Sequence, residues 1–401
     1  MAHFLVMDSS EFAFSPSPPN SPDLCAEAYN LRKRMRTGAQ TERNEHEYVF
    51  IKSIGSGKTP LMHAVLNANK VIANMLLKIH PERQLLEVDR NGMTVLMHAC
   101  VCPIIGDDNV HMADFIMDTC GKDLEEHLLM RDSYGMIPIM YACNSKAIGV
   151  CKRMLKSPEL AIRQLRVKDG LGKTLLMHAC QKARINLIKI IVDSVSSLGG
   201  ELKEIFAEQD SSGRTPLRYM VMSKCQKGDL IFVLGHFFDA IGVADNTGVT
   251  PWMYICQNDY NGYIMMRSII DVYGDTALSA EVVRNLSMAM DNAGIPAIFH
   301  VFMRGTMRTA DYLMTVLLES DIVFLATKRD ASGRTLLMHA AANGWDKHVI
   351  TIFRYAGESG LYEVDKWNKT ALIYACENDH YLVVKELLNA MNNDTEELSL
   401  R

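Results

Sequence analysis

Asp169-Gly-Leu-Gly-Lys-Thr-Leu-Leu-Met-His-Ala-Cys180 decides the fold, because the chain keeps returning to it. The same frame runs from Asp89 through Gly92, Thr94 and Met97 to His98, and from Asp330 through Gly333, Thr335 and Met338 to His339. Asp132, Asp210, Asp245 and Asp365 open copies that end on Tyr141, Tyr219, Tyr254 and Tyr374, and Asp291 opens one that ends on His300. One more copy, Gly57-Lys-Thr-Pro-Leu-Met-His63, lacks the leading Asp. That makes nine, and wherever the Asp is present a His or Tyr follows nine residues later. From one His or Tyr to the next the steps are 35, 43, 37, 41, 35, 46, 39 and 35 residues. Periods of that size mean stacked supersecondary units.

The chemistry of one copy is local. Asp-x-x-Gly is a turn: the carboxylate can bond nearby backbone, and glycine accepts a positive φ. Thr is a good N-cap, and Pro after it fills the first helical position, where its missing N–H costs nothing. Leu-Met-His-Ala-Cys then makes a short helix. Apolar segments with helical spacing follow, most clearly Val71–Leu77, Leu187–Val192 and Tyr381–Leu388.

Turn, short helix, second helix and loop, repeated, resembles the ankyrin repeat, a unit of about 33 residues whose first helix opens with Thr-Pro-Leu-His-x-Ala. The resemblance covers residues 54 to about 391. It implies an all-α solenoid of helix-turn-helix repeats with protruding turns or short β-hairpin fingers. This chain departs from the pattern twice. Met occupies the family's His position (Met62, Met97, Met140, Met177, Met253 and Met338), and the His or Tyr comes one place later. Longer segments such as Gln84–Asp89 and Ile162–Asp169 replace the family's Gly-Ala-Asp linker, and the stack is expected to be irregular over 260–325. The six methionines are expected to fill the core.

Composition agrees with an array. A chain of 401 residues with 48% hydrophobic residues can grow a core in one dimension, and a formal charge of −5 argues against binding driven by nucleic-acid phosphates. Five of the ten cysteines (Cys100, Cys143, Cys180, Cys256 and Cys376) fall two residues after the His or Tyr, where a small buried side chain suffices. No secretory signal or bilayer-length apolar run is evident, so we expect no membrane insertion and a cytoplasmic or nuclear protein with reduced thiols. Residues 1–45 precede the array as an expected disordered region. It holds Ser-Pro phosphorylation candidates at Ser15, Ser17 and Ser21 and a possible nuclear import signal at Arg32, Lys33, Arg34 and Arg36. The array is expected over 46–391, with a short acidic tail at 392–401.

Catalytic or cofactor chemistry finds no support. Gly55-Ser-Gly-Lys-Thr59 lacks the first glycine of a phosphate-binding loop, and Gly-Lys-Thr recurs at 172–174 as turn chemistry. The repeated His alternates with Tyr, a poor zinc ligand, and no Cys-x-x-Cys is present, so no metal site is expected. What that position calls for is a flat side chain with a polar tip. The resemblance instead implies protein binding through the concave face, turn tips and first-helix ends. Mapped by residue, this points to Tyr134, Asn246 and Trp367 on turns, Lys173, Arg214, Arg334 and Lys369 before the Thr, and Asn343 at a helix end. Such a surface suits an acidic peptide with an apolar anchor. A non-enzymatic adaptor or regulator without cofactor is the expected function; the alternative is a targeting subunit of a ubiquitin ligase or phosphatase. Neither the partner's identity nor the oligomeric state is legible.

Overall fold

The computed structural model describes residues 45–102, 108–195, 201–223, 226–258, 262–273, 277–304, 306–357 and 359–399. The import-signal and phosphorylation candidates of the first 45 residues lie outside them. Nine first helices follow the nine turns: Pro60–Leu66, Val95–Val101, Pro138–Asn144, Leu175–Gln181, Pro216–Met222, Pro251–Gln257, Ala297–Arg304, Leu336–Ala342 and Ala371–Glu377. We number the repeats one to nine in that order. Consecutive first helices pack on one another, and second helices such as Ile185–Val195 and Asp346–Ala356 form a parallel layer behind them. A single apolar core runs from Leu61 to Leu387. Each repeat therefore buries its apolar side against its neighbours, as a one-dimensional stack requires.

The turn explains the nine-residue spacing. In all eight copies with Asp, one carboxylate oxygen accepts the backbone N–H groups two and four residues on. Asp89 takes Asn91 and Met93, and Asp169 takes Leu171 and Lys173, at 2.8–2.9 Å. The Asp N–H in turn donates to the carbonyl four residues later. The other carboxylate oxygen meets the His or Tyr nine residues on: His98 at 3.0 Å, His178 at 2.9 Å, Tyr219 at 2.6 Å, His339 at 3.0 Å and Tyr374 at 2.5 Å. Tyr141 makes the same bond to Asp132. One carboxylate thus closes the turn and ties it to the helix that follows.

Three copies depart from this scheme. In repeat seven His300 Nε2 stays 3.6 Å from Asp291, beyond hydrogen-bond reach, and Pro296 stands in place of the capping Thr. In repeat six Asp245 receives Arg218 of repeat five at 2.9 Å, and that guanidinium lies over the Tyr254 ring. In repeat one Ser53 stands in for the missing Asp, accepting Lys58 N–H on its hydroxyl in a loop one residue longer.

Thr then caps the helix, accepting the N–H three residues on, a contact of roughly 1 kcal/mol. The methionines do more than fill the core. All six are buried, but Met62, Met97, Met177, Met253 and Met338 also place Sδ 3.4–3.5 Å from the Thr N–H, giving a capping box with a thioether as acceptor. Met140 follows an Ile without a side-chain cap and only packs.

Glycine at the turn is required by its neighbour as well as by its positive φ. A Cβ on Gly172 would meet Ser211 N at 2.6 Å, and one on Gly248 would meet Asn292 N at 2.3 Å. Turns come this close because each bonds the next: Ser133 N–H donates to Asn91 O, Gly170 to Tyr134 O, Ser211 to Leu171 O, Asn246 to Ser212 O and Lys366 to Ser332 O. The expected hairpin fingers shrink to isolated bridges, Val88 with Thr94, Met290 with Pro296 and Arg329 with Thr335.

The long inter-repeat segments contain helices that sequence patterning did not resolve. Pro81–Leu86, Leu124–Leu129, Pro158–Leu165, Glu201–Ala207, Ala277–Met288 and Glu319–Ala326 each add a third helix to their repeat. Gln84 and Gln164 fasten two of them, donating to the carbonyls of Leu76 (2.6 Å) and Met154 (2.9 Å) near the end of the second helix. Over 260–325, the region expected to be irregular, the same three-helix order persists, with Ala277–Met288 as the third helix of repeat six. The last helix, Tyr381–Ser399, runs on through the residues expected as a tail.

One seam differs. Between repeats seven and eight the rung that would join Ala331 N–H to Ala293 O is absent among the described residues, and a Cβ on Gly294 would meet nothing within 4 Å. That seam is closed from inside, by Asn343 Nδ2 donating to Phe302 O at 2.5 Å and by the Phe302, Trp345 and His348 rings.

Candidate binding surface

The scaffold consumes most polar groups of the repeat, so a binding surface must be built from what it leaves over. The residue two after each Asp points off the ladder tip. Tyr134 is 55% exposed, Leu171 54% and Trp367 57%. Tyr134 and Leu171 stand on adjacent fingers, joined by the 2.6 Å bond from Gly170 N–H to Tyr134 O. Leu171 was not among the sequence candidates, although it shares the register of Tyr134 and Trp367; its position was the available signal.

The remaining candidates sort into three roles. Asn246 and Asn343, both exposed, also brace the array: Asn246 Nδ2 donates to Ser211 O at 3.1 Å, and Asn343 closes the seven–eight seam. Arg334, Trp367 and Lys369 form a cluster in repeats eight and nine. The Arg334 guanidinium lies 5.4 Å from the Trp367 ring and 4.8 Å from that of Tyr374, while Lys369 Nζ binds Glu377 at 2.6 Å. Lys173 and Arg214 belong to a separate cluster in repeats four and five. Lys173 Nζ sits 5.0 Å from the Tyr219 ring centre and 3.5 Å from Gln181 Oε1. Tyr134 lies beside this second cluster, six turns before Trp367.

The electrostatics follow from these placements. Burial alone would raise the carboxyls of Asp89, Asp169 and Asp330, but their His partners and turn amides outweigh it and hold them below the ordinary aspartate value. Burial and the bond to Asp365 push the Tyr374 hydroxyl up to about 12. Lys173 is held below the usual lysine value by burial and by the nearby Arg214 and Lys182, against the attraction of Asp169 and Asp210. Burial pushes the Cys143 thiol up to about 12, so it packs as a small apolar group. Among the described residues no group of three His, Cys, Asp or Glu side chains could hold a metal ion. None of their helices is long and apolar enough to cross a membrane.

Residues 289–397 match the sequence model of the ankyrin repeats in three copies. This part of the chain carries ankyrin repeats. The match spans the turns opened by Asp291, Asp330 and Asp365, whose aspartates accept the backbone N–H groups two and four residues on, as those of the earlier turns do. The chain is also similar to a solved structure described as EF0377, an ankyrin repeat protein. The identity is 19%, covering 52% of this chain and 94% of that one, with a TM-score of 0.40. No curated protein matches the sequence.

Proposed function

We propose that this ankyrin-repeat chain is a non-enzymatic adaptor or regulator that binds a protein partner through its turn tips and the exposed ends of its first helices. One observation carries the reading. The polar groups of the repeat are spent on holding turn, cap and neighbour together, while Tyr134, Leu171 and Trp367 project from the ladder with more than half their surface free. Exposed aromatic and aliphatic side chains on a rigid frame are what partner hot spots are made from. The eight cysteines described are free thiols, seven of them buried, which suits the cytoplasm or nucleus.

The test is affinity purification of the full chain from its native cell type with quantitative mass spectrometry. A Tyr134→Ala/Leu171→Ala/Trp367→Ala variant runs alongside. Partners retained by the unaltered chain and lost with the variant, whose thermal unfolding stays unchanged, are the expected result. Equal recovery with both chains would remove the tips from the binding surface.

A further inference from the structure

The turn-and-first-helix strips of repeats three to five (residues 131–147, 168–184 and 209–223) contain eight Lys or Arg and three acids, Asp132, Asp169 and Asp210. All three acids are spent on the turn amides and on Tyr141, His178 and Tyr219. Two of the bases are answered by carboxylates from outside the strips: Lys168 by Glu208 at 2.9 Å and Arg218 by Asp245 at 2.9 Å. Arg131, Lys146, Lys173, Lys182, Arg184 and Arg214 have no carboxylate ion pair among the described residues. Arg131, Lys146 and Lys182 are exposed. Lys182 and Arg184 follow the first helix of repeat four, which packs on that of repeat three, and their charges oppose the upward shift that burial gives the Cys143 thiol there.

Repeats eight and nine, on the same scaffold, are treated differently. Their strips, 328–344 and 364–380, carry five Lys or Arg and four acids. Arg329 meets Glu363 at 3.2 Å, Arg334 approaches Asp365 at 3.8 Å, and Lys369 binds Glu377 at 2.6 Å. The positive strip of repeats three to five is therefore a local property, in a chain whose formal charge is −5. Its upper edge carries the exposed pair Tyr134 and Leu171.

Resting on the protein-binding reading above, we infer that repeats three to five hold an acidic segment of the partner polypeptide. Its carboxylates lie along Lys146, Lys173, Lys182 and Arg214, and one apolar residue seats against Tyr134 and Leu171. Charge complementarity of this kind fixes register and speeds encounter, and the apolar contact supplies the anchor. Nucleic acid is the competing occupant of any basic strip. The two exposed apolar tips, one of them aliphatic, favour polypeptide, since single-stranded nucleic acid needs aromatic platforms for its bases.

The experiment is selection of the full-length protein against a random twelve-residue peptide display library. Enriched peptides are then measured by fluorescence anisotropy at low and high salt, with an unstructured RNA oligomer as a parallel probe. Enriched sequences should carry several Asp or Glu around one aromatic or aliphatic residue. Lys146→Glu/Lys182→Glu, both at exposed positions, should weaken binding about tenfold or more, and high salt should do likewise. Lys347→Glu/Lys385→Glu, at exposed positions on the second helices of repeats eight and nine, should leave it within about twofold. Acidic peptides that bind the Lys146→Glu/Lys182→Glu variant undiminished, or enriched peptides without acidic bias, overturn the inference while the protein-binding reading stands. Failure to enrich any peptide, with tight RNA binding in the parallel probe, overturns both.

Discussion

Compare the seam between repeats four and five with the seam between seven and eight. At the first, Ser211 N–H donates to Leu171 O, and Lys168, one residue before its Asp, reaches Gln209 O at 3.0 Å. The brace continues from Gln209 to Ala244 O at 3.0 Å, and its counterparts run from Lys52 to Val88 O and from Arg329 to Val364 O. At the second seam the rung is missing and the residue before Asp291 is Met290, a thioether with no proton to donate. The first helices stay packed at both, and Phe299 reaches His339 edge to face across the open one. A repeat array is thus held together by two separable layers, an apolar interior and a hydrogen-bonded outer edge. Here the edge is interrupted once while the core continues beneath it.

The largest expected difference between the seams is in amide exchange. Ser211 N–H and its counterparts at Ser133, Gly170, Asn246 and Lys366 are bonded to the preceding turn, whereas Ala331 N–H is not and Ala331 is exposed. Opening free energies range from near zero at unbonded sites to the global value in the core. Ala331 should therefore exchange faster than the other five by about a hundredfold or more. Hydrogen exchange resolved by residue checks this, and equal protection at all six would mean that the edge is continuous.

A weaker contrast appears with pH. His300 and His348 flank the open seam, and burial holds both below the ordinary histidine value. Asp291 at 3.6 Å opposes that shift at His300 while Arg304 adds to it, and Gln257 Nε2 bonds the ring at 2.9 Å. At His348 Asp311 (3.4 Å) and Asp346 oppose the shift and Lys347 adds to it. Both rings are neutral in the folded and unfolded chain at high pH, so they cost nothing there. As pH falls below about 6.5 the unfolded chain takes up protons first, and stability at this seam drops until the depressed folded values are passed. The aspartates of the turns behave otherwise. Asp89, Asp169 and Asp330 are depressed, so their contribution persists above about 3.9 and is lost only below it. Between pH 7 and 5, repeats seven and eight should loosen before repeat four; His127 of repeat two is depressed by burial in the same sense. Near-ultraviolet dichroism of the buried Trp345, beside His348, reports the one, and exchange of the Asp169 turn amides reports the other. Simultaneous loss would assign the acid response to the whole array.

What the sequence shows and what it hides follow the same division. Asp, Gly, Thr and the His or Tyr were legible because each acts within a dozen residues of its own chain. Even so, the constant nine-residue interval pointed to a direct Asp–His contact that only the fold displays. The methionine thioether as cap acceptor was hidden, because Met is read first as apolar filler. Third helices such as Pro158–Leu165 were hidden because eight residues hold barely two turns of periodicity. Of the surface candidates, Asn246 and Asn343 also bond a neighbouring repeat, a second role that a polar residue at a helix end or turn does not disclose in the sequence. The open seam had one trace, Met290 where Lys52, Arg131, Lys168, Gln209 and Arg329 stand in other copies, but Val88 and Ala244 also lack a donor there, at seams whose rungs are made.

That trace supplies the smallest effect and the sharpest test. If the missing brace causes the gap, Met290→Gln should restore it, because Gln209 at the same register donates both to Gly213 O at 2.8 Å and to the next repeat. The expected partner is Arg329 O, the counterpart of Ala244 O. Met290 is 43% exposed, so replacing it forfeits little apolar burial. One net hydrogen bond should raise stability by about 0.5–1.5 kcal/mol and slow exchange at Ala331. The reverse change, Gln209→Met, should cost a similar amount and expose Asn246 N–H at a seam that is now closed. If Met290→Gln alters neither stability nor Ala331 exchange, the spacing there is set by the aromatic packing of Phe299, Phe302 and Trp345. The edge would then follow the core and have no say in how the repeats stack.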